Sequence, residues 1–548
     1  MKKITIAIML LILPITLAAC GGQPDPSYAT AMRDENLFKL GKVWGFTKYT
    51  HNSFISGALD WDRELLNLIP IIYDSDAEYV NGILYDWFIG LGEDGFDFEP
   101  NIGNYRPMAD MSWINEDYLG ALAARLLRFG GVNLSERGNA PVFFDPYIGT
   151  PNFSNQQLHT HMDYEDPGYR LLGLFRLWNA VNYYFPHLDV LDVQWNDLLA
   201  EFVPRMLAVT DRLSYELTIA AMARHMHDAH VRFTGTMIHH VELFGPHMVP
   251  ALFVAAEGYI VVYQGLYPLQ TGDVIRSING RDIDEIVEEA RQYLSYPNDE
   301  KLLAYFTRRH RMLRSRTRDI NIGVRRGGVE MTLAAEGTFQ EIRNISTAIS
   351  HELLDNNIGL INFEYANDIH GIMREFATTD GLIIDLRQPP HPDFVFLDLR
   401  QYFMEEPLPF AYVSMPSNTH PGERFDTIIN QYIPRSPYAF TYERPVAVLI
   451  NEVTMSHLEW VTMALRTAPN VTVIGPFSMG SNGNTTSLPL PGGITIFFTS
   501  LGVYTPEGGQ THRIGLTPDI RVDPSVEGIK EGRDEIMEAA IRFILGYV

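Results

Sequence analysis

From Pro445 to Ile450 the chain is apolar without a break, and soon afterwards it reaches Ser456, which opens a helical pattern. A strand with no polar side has to be covered on both faces, and that demands a layered α/β architecture. Thr454 and Ser456 are both good helix N-caps, and Leu458, Val461, Met463, Ala464 and Leu465 follow at helical spacing. A serine where a buried strand turns into a helix has its hydroxyl at the positive end of the helix dipole. The free N–H groups there can stabilise an oxyanion. Ser456 therefore reads either as a nucleophile or as a simple helix cap.

With 548 residues, 46% hydrophobic and 12% aromatic, the chain has material for several true cores. Its net charge of −25 argues against nucleic acid as a partner. At the N-terminus, Lys2 and Lys3 precede an apolar stretch, Ile4 to Thr16, too short for a typical membrane span. Leu17-Ala18-Ala19-Cys20 follows, which resembles the lipobox of bacterial lipoproteins, with Cys20 as the lipidated residue. Cys20 is the sole cysteine, so disulfides within the chain are excluded. Gly21 to Ser27 reads as a flexible tether.

An internal repeat comes next. Trp44, Tyr49, Trp61 and Pro70 recur as Trp178, Tyr183, Trp195 and Pro204, each 134 residues later (178−44, 183−49, 195−61, 204−70). Four matches at one offset point to duplicated helical units. Residues 215–233 read as a continuing helix that ends in His-Met-His-Asp-Ala-His-Val-Arg-Phe. His225, His227 and His230 in it raise a metal reading, but only 227 and 230 share a helical face and no zinc-peptidase carboxylate motif accompanies them. No metal or other cofactor is expected. From about 240 to 340 short strands dominate, with a hairpin split at Glu257-Gly258 and a Gly-Asp-Val-Ile-Arg-Ser-Ile-Asn-Gly run (272–280) that resembles the core of PDZ domains. From 355 strand and helix alternate, closed by a terminal helix from about Asp534.

Taken in order, the stretches 227–233, 272–280, 381–390, 451–460, 473–484 and 512–520 resemble the serine peptidases that include the tail-specific (C-terminal processing) proteases and the tricorn core protease. The resemblance implies an α/β fold with a ClpP/crotonase-like catalytic core. It places the nucleophile on Ser456 and, in the tricorn-like branch, the general base on His230. The lysine of the other branch aligns with Ser481, so a Ser–His mechanism is favoured. His512 stands where that branch orients its histidine with a glutamate; Glu507 is a possible substitute. The N–H of His457 is implied as one oxyanion donor. The second falls on His391, in a turn reading Gln388-Pro389-Pro390-His391-Pro392, whose prolines have no N–H to give.

The layout expected is a signal peptide (1–19), a lipidated tether (20–35), two helical units (36–155 and 156–236), a PDZ-like domain (240–340) and a serine peptidase core (345–548). The function expected is an extracytoplasmic endopeptidase, lipid-anchored in the bacterial cell envelope, that cleaves peptides or unfolded polypeptide tails. The alternative is an impaired family member that binds a peptide or other ligand.

Overall fold

The structure, a computed structural model, describes residues 26–92, 105–129, 138–235, 241, 243–309, 311–339, 349–388, 399–404, 406–430, 436–437 and 439–547. Cys20 and His391 lie outside the described residues. No described helix is long and apolar enough to cross a membrane.

Helices α1 (Pro26–Thr50) and α2 (Trp61–Tyr73) form one pair; α3 (Pro167–Tyr184), α4 (Trp195–Leu207) and α5 (Arg212–Ala223) form the next group. The helix beginning at Pro26 overrides the tether expected to run to residue 35. Trp44 Nε1 donates to the Trp61 carbonyl at 2.8 Å, and Trp178 Nε1 donates to the Trp195 carbonyl at 2.8 Å. Trp44 and Trp178 are fully buried, and Pro70 and Pro204 both sit inside their helices. The recurrent residues thus make the same local bond in both places. Helices α1 and α3 approach closely along Gly41 and Gly45. A methyl group on Gly45 would fall 1.9 Å from Asn179 Oδ1, and Asn179 Nδ2 donates to the Gly41 carbonyl at 3.0 Å.

The helix expected through residue 233 stops earlier. After α5 a single 3-10 turn, Arg224–Met226, leads to His227 in the left-handed region (φ 50°). The buried carboxylate of Asp228 then accepts the His230 N–H at 2.9 Å, folding 227–230 into a turn. Local helix propensity yields here to a local side-chain-to-backbone bond, held in place by the tertiary bond from the Thr499 N–H to the same carboxylate. Strand β1 (Arg232–Thr234) follows.

The middle region is an antiparallel sheet with β2 (Ala251–Ala256), β3 (Tyr259–Gly265), β4 (Val274–Ile278), β5 (Asp319–Arg326) and β6 (Val329–Glu336), in the order β6-β5-β4-β3-β2, and helix α6 (Ile283–Arg291) follows β4. Glu257 (φ 51°) and Gly258 (φ 79°) form the two-residue tip between β2 and β3, both left-handed, which suits the twist of a tight hairpin.

The last sheet holds β7 (His351–Leu354), β8 (Ile358–Asn362), β9 (Gly381–Asp385), β10 (Val446–Leu449), β11 (Val471–Gly475) and β14 (Ile520–Arg521), in that spatial order. All its pairs are parallel except β7 with β8. Between β8 and β9 runs helix α7 (Ile369–Glu375), and after β10 comes α8 (His457–Leu465). Strands β12 (Thr485–Leu490) and β13 (Ile494–Thr499) pair with each other, and β13 pairs with β1. The terminal helix is α9 (Glu535–Ile544). Every residue of β10 is fully buried: Val446 and Val448 enter the core shared with α7 and α8, while Ala447 and Leu449 enter the one shared with α9. Alternate side chains of one strand fill two cores, which is the physical reason for the unbroken apolar run.

Candidate active site

Strand β10 ends at the carboxyl edge of a parallel sheet, the edge where open α/β sheets place their ligands. The turn from β10 to α8 is pinned from inside and outside. Asn451 N–H donates to Thr454 Oγ1 at 2.9 Å, Asn451 Nδ2 donates to the Arg387 carbonyl at 3.1 Å, and Met479 N–H donates to the Thr454 carbonyl at 2.8 Å. Thr454 therefore locks the turn, and Ser456 alone takes the N-cap position. Ser456 has φ 57° and ψ −123°, a conformation that favours glycine, and its side chain makes no capping hydrogen bond. A strained serine on a sharp strand-to-helix turn, with its hydroxyl not spent on the helix, has the local form of a nucleophile elbow. His457 is the first residue of α8 and sits at the positive end of its dipole.

Ser481 links this turn to the histidine segment. Its carbonyl accepts the Ser456 N–H at 2.8 Å, and its hydroxyl accepts the Ala229 N–H at 2.8 Å. The position that aligns with the lysine of the other branch is thus a buried brace between Ser456 and the neighbour of His230. Glu459, one turn into α8, secures the same loop. Its carboxylate is bonded by the Ser478 hydroxyl, by the Gly480 N–H at 2.9 Å and by the Ser481 N–H at 3.2 Å. Burial pushes its carboxyl up, against the bonds from Ser478 and Gly480 and the charge of His230, all of which favour the carboxylate.

His230 itself is buried. Its Nδ1 is 2.8 Å from Thr499 Oγ1 and 3.4 Å from Asp228 Oδ1, and its Nε2 has no hydrogen-bond partner among the described residues. Asp228 is fully buried, with Oδ2 accepting the Thr499 N–H at 2.7 Å and its own N–H donating to Ser295 Oγ at 2.9 Å. Burial would raise its carboxyl, but the bond and charge of His230 outweigh it and hold the group well below the usual carboxylate range.

His512 is not the partner of His230. Its Nε2 is 3.2 Å from the Met226 carbonyl, its Nδ1 has no partner among the described residues, and its ring stacks on His187 with centroids 4.1 Å apart. Burial lowers its pKa to about 4, which keeps it neutral near pH 7. Glu507 sits exposed in the turn after Tyr504. His227, one of the three histidines of the metal reading, spends its ring on the Tyr296 carbonyl at 3.1 Å and on Asp192 at 3.0 Å. The sequence reading missed Asp228 and Thr499. The one visible signal was an aspartate two residues before the histidine; Thr499 lies at the end of a strand with no local mark.

A cavity of about 570 Å³ adjoins the turn that precedes Ser456. Glu257 and Gly258 of the β2–β3 tip, Lys301, Glu452, Phe477 and Arg521 contribute to its wall, so it lies between the middle sheet and the parallel sheet.

Residues 357–522 match the model of Peptidase family S41. A carboxy-terminal-processing protease of Bartonella bacilliformis is 36% identical over 94 residues, 17% of this chain and 22% of the relative, so the match spans about a fifth of that protein. The solved structure of mature CPAF complexed with lactacystin superposes with a TM-score of 0.55 at 12% identity, covering 69% of this chain and 98% of the other. The tricorn protease superposes with a TM-score of 0.35 at 13% identity, over 69% of this chain and 37% of its own.

Proposed function

We propose that this chain, whose residues 357–522 are a Peptidase family S41 domain, is a serine endopeptidase that cleaves peptides or unfolded polypeptide tails through an acyl-enzyme on Ser456. The observation that carries the reading is Ser456 itself: the turn that follows the buried strand Val446–Leu449 holds a serine at φ 57°, at the amino end of a helix to which its side chain gives no capping bond. His230 Nε2 takes the hydroxyl proton as Oγ attacks the scissile carbonyl carbon. The N–H of His457 receives the developing oxyanion, and the ring returns its proton to the leaving amine. Water, deprotonated by the same ring, then releases the acyl group.

The middle sheet with α6 is read as a PDZ-like domain, the parallel sheet as a ClpP/crotonase-like core, and the two tryptophan-anchored helix pairs as duplicated units. The apolar leader ending in Cys20 supports a lipid-anchored, extracytoplasmic protein of the bacterial envelope. One observation favours a second reading, an impaired enzyme that binds peptide or another ligand. Of residues 389–392, three are prolines and only His391 has an N–H, and losing an oxyanion donor costs about 3 kcal/mol of transition-state stabilisation. Reaction of wild type, but not Ser456→Ala, with a fluorophosphonate, together with peptide cleavage that Ser456→Ala lacks, is the expected result. Cleavage at equal rates by the two proteins overturns the mechanism. Labelling without cleavage selects the binding protein.

A further inference from the structure

We propose that Asp228 and Thr499 together position His230 for the Ser456 hydroxyl, Thr499 through the ring and Asp228 through the main chain and its charge. This rests on the reading of Ser456 as nucleophile and His230 as its base, and it gives to two other residues the orienting role expected of His512.

One carboxylate braces both sides. Asp228 Oδ1 accepts the His230 N–H at 2.9 Å, and Oδ2 accepts the Thr499 N–H at 2.7 Å. The pairing of β1 with β13 brings these segments together, with Arg232 opposite Phe497. Behind Thr499, buried Arg424 donates to the Ser500 carbonyl at 3.0 Å and to the Tyr184 carbonyl at 3.2 Å, so the strand end is tied to α3 as well.

The ring chemistry follows from this frame. The anionic Asp228 oxygen 3.4 Å from Nδ1 favours a proton on that nitrogen, and the Nδ1–H then donates to Thr499 Oγ1 at 2.8 Å. That leaves Nε2, buried and without a partner among the described residues, as the nitrogen with a free lone pair. When Nε2 takes the Ser456 proton, the imidazolium keeps both Nδ1 contacts and gains Asp228 as counter-charge. Asp228 is the charged group in contact with the ring.

The test uses the full chain with Thr499→Val, Thr499→Ser and Asp228→Asn. Two quantities are measured: the rate of fluorophosphonate capture by Ser456 from pH 5 to 9, and the ¹⁵N shifts of the His230 ring. Thr499→Val should slow capture about tenfold, the worth of one hydrogen bond to a reacting group, and Thr499→Ser should recover it to within about threefold. Asp228→Asn should move the acid limb of the profile to lower pH, because the imidazolium has lost its counter-charge. Melting curves screen out unfolded variants, and Thr499→Val, with both main-chain bonds in place, carries the test if Asp228→Asn does not fold. Capture by Thr499→Val at the wild-type rate at every pH overturns the proposal, as does Thr499→Ser being equally slow. A pH shift produced by His512→Phe and not by Asp228→Asn overturns it too. If the wild type is not captured at all, the peptidase reading fails. The ring shifts then decide the positioning: an Nδ1–H tautomer lost in Thr499→Val supports it, and unchanged shifts overturn it.

Discussion

Replacing Ser456 by glycine should make the protein more stable than replacing it by alanine. The backbone at this position has φ 57° and ψ −123°. A residue with a Cβ held in such a region stores roughly 1–3 kcal/mol, while glycine occupies it freely. Glycine also loosens the unfolded chain, which costs about 0.4–1 kcal/mol. The difference is a net gain of about 1 kcal/mol for Ser456→Gly over Ser456→Ala. For a unit the size of the 357–522 domain, that corresponds to about 2–4 °C in the melting temperature. Alanine itself should be nearly neutral relative to the wild type, because the serine hydroxyl makes no capping bond; an ordinary serine cap loses about 1 kcal/mol on that change. Calorimetry on the three proteins reads both differences from the transition of the parallel-sheet domain. If Ser456→Gly melts at or below Ser456→Ala, the turn is not strained and the argument for an elbow fails. If Ser456→Ala loses a full kilocalorie, the serine is a cap.

Asp62, buried between Arg176 and His159, has its carboxyl lowered to about 2: burial opposes ionisation, but the charge of Arg176 and the bond from His159 outweigh it. The folded value is below the ordinary one, so its contribution, about 2 kcal/mol, is fully present above pH 4 and is lost as the pH falls through 2; urea midpoints from pH 6 to 2 should show that slope. Asp62→Asn should flatten it and cost about 3–5 kcal/mol at pH 7 by leaving Arg176 buried without its partner. Gly45→Ala should cost about 1–3 kcal/mol, since Asn179 is fully buried and held by bonds to the Gly41 and Phe175 carbonyls, and denaturant unfolding checks it.

Some of this molecule was legible residue by residue. The apolar run at β10 announced a strand covered on both faces, and Glu257-Gly258 announced a tight hairpin. Ser456 before a helical pattern marked the turn to examine. These signals are local, because backbone conformation and side-chain periodicity are set within a few residues. The recurrent tryptophans were visible for the same reason, each bonding a carbonyl seventeen residues on. The end of the helix at Ala223 was not visible, because it depends on a buried carboxylate that claims the following turn. The contacts of His512 were not legible on a related ground. The direction of a buried ring is decided by what it packs on, here His187. Asp228 and Thr499 show the limit most plainly. They are 271 residues apart, and each alone is an ordinary polar residue. Only the pairing of β1 with β13 brings that hydroxyl to that imidazole, and strand pairing is settled by the burial of whole sheet faces rather than by the residues it happens to join.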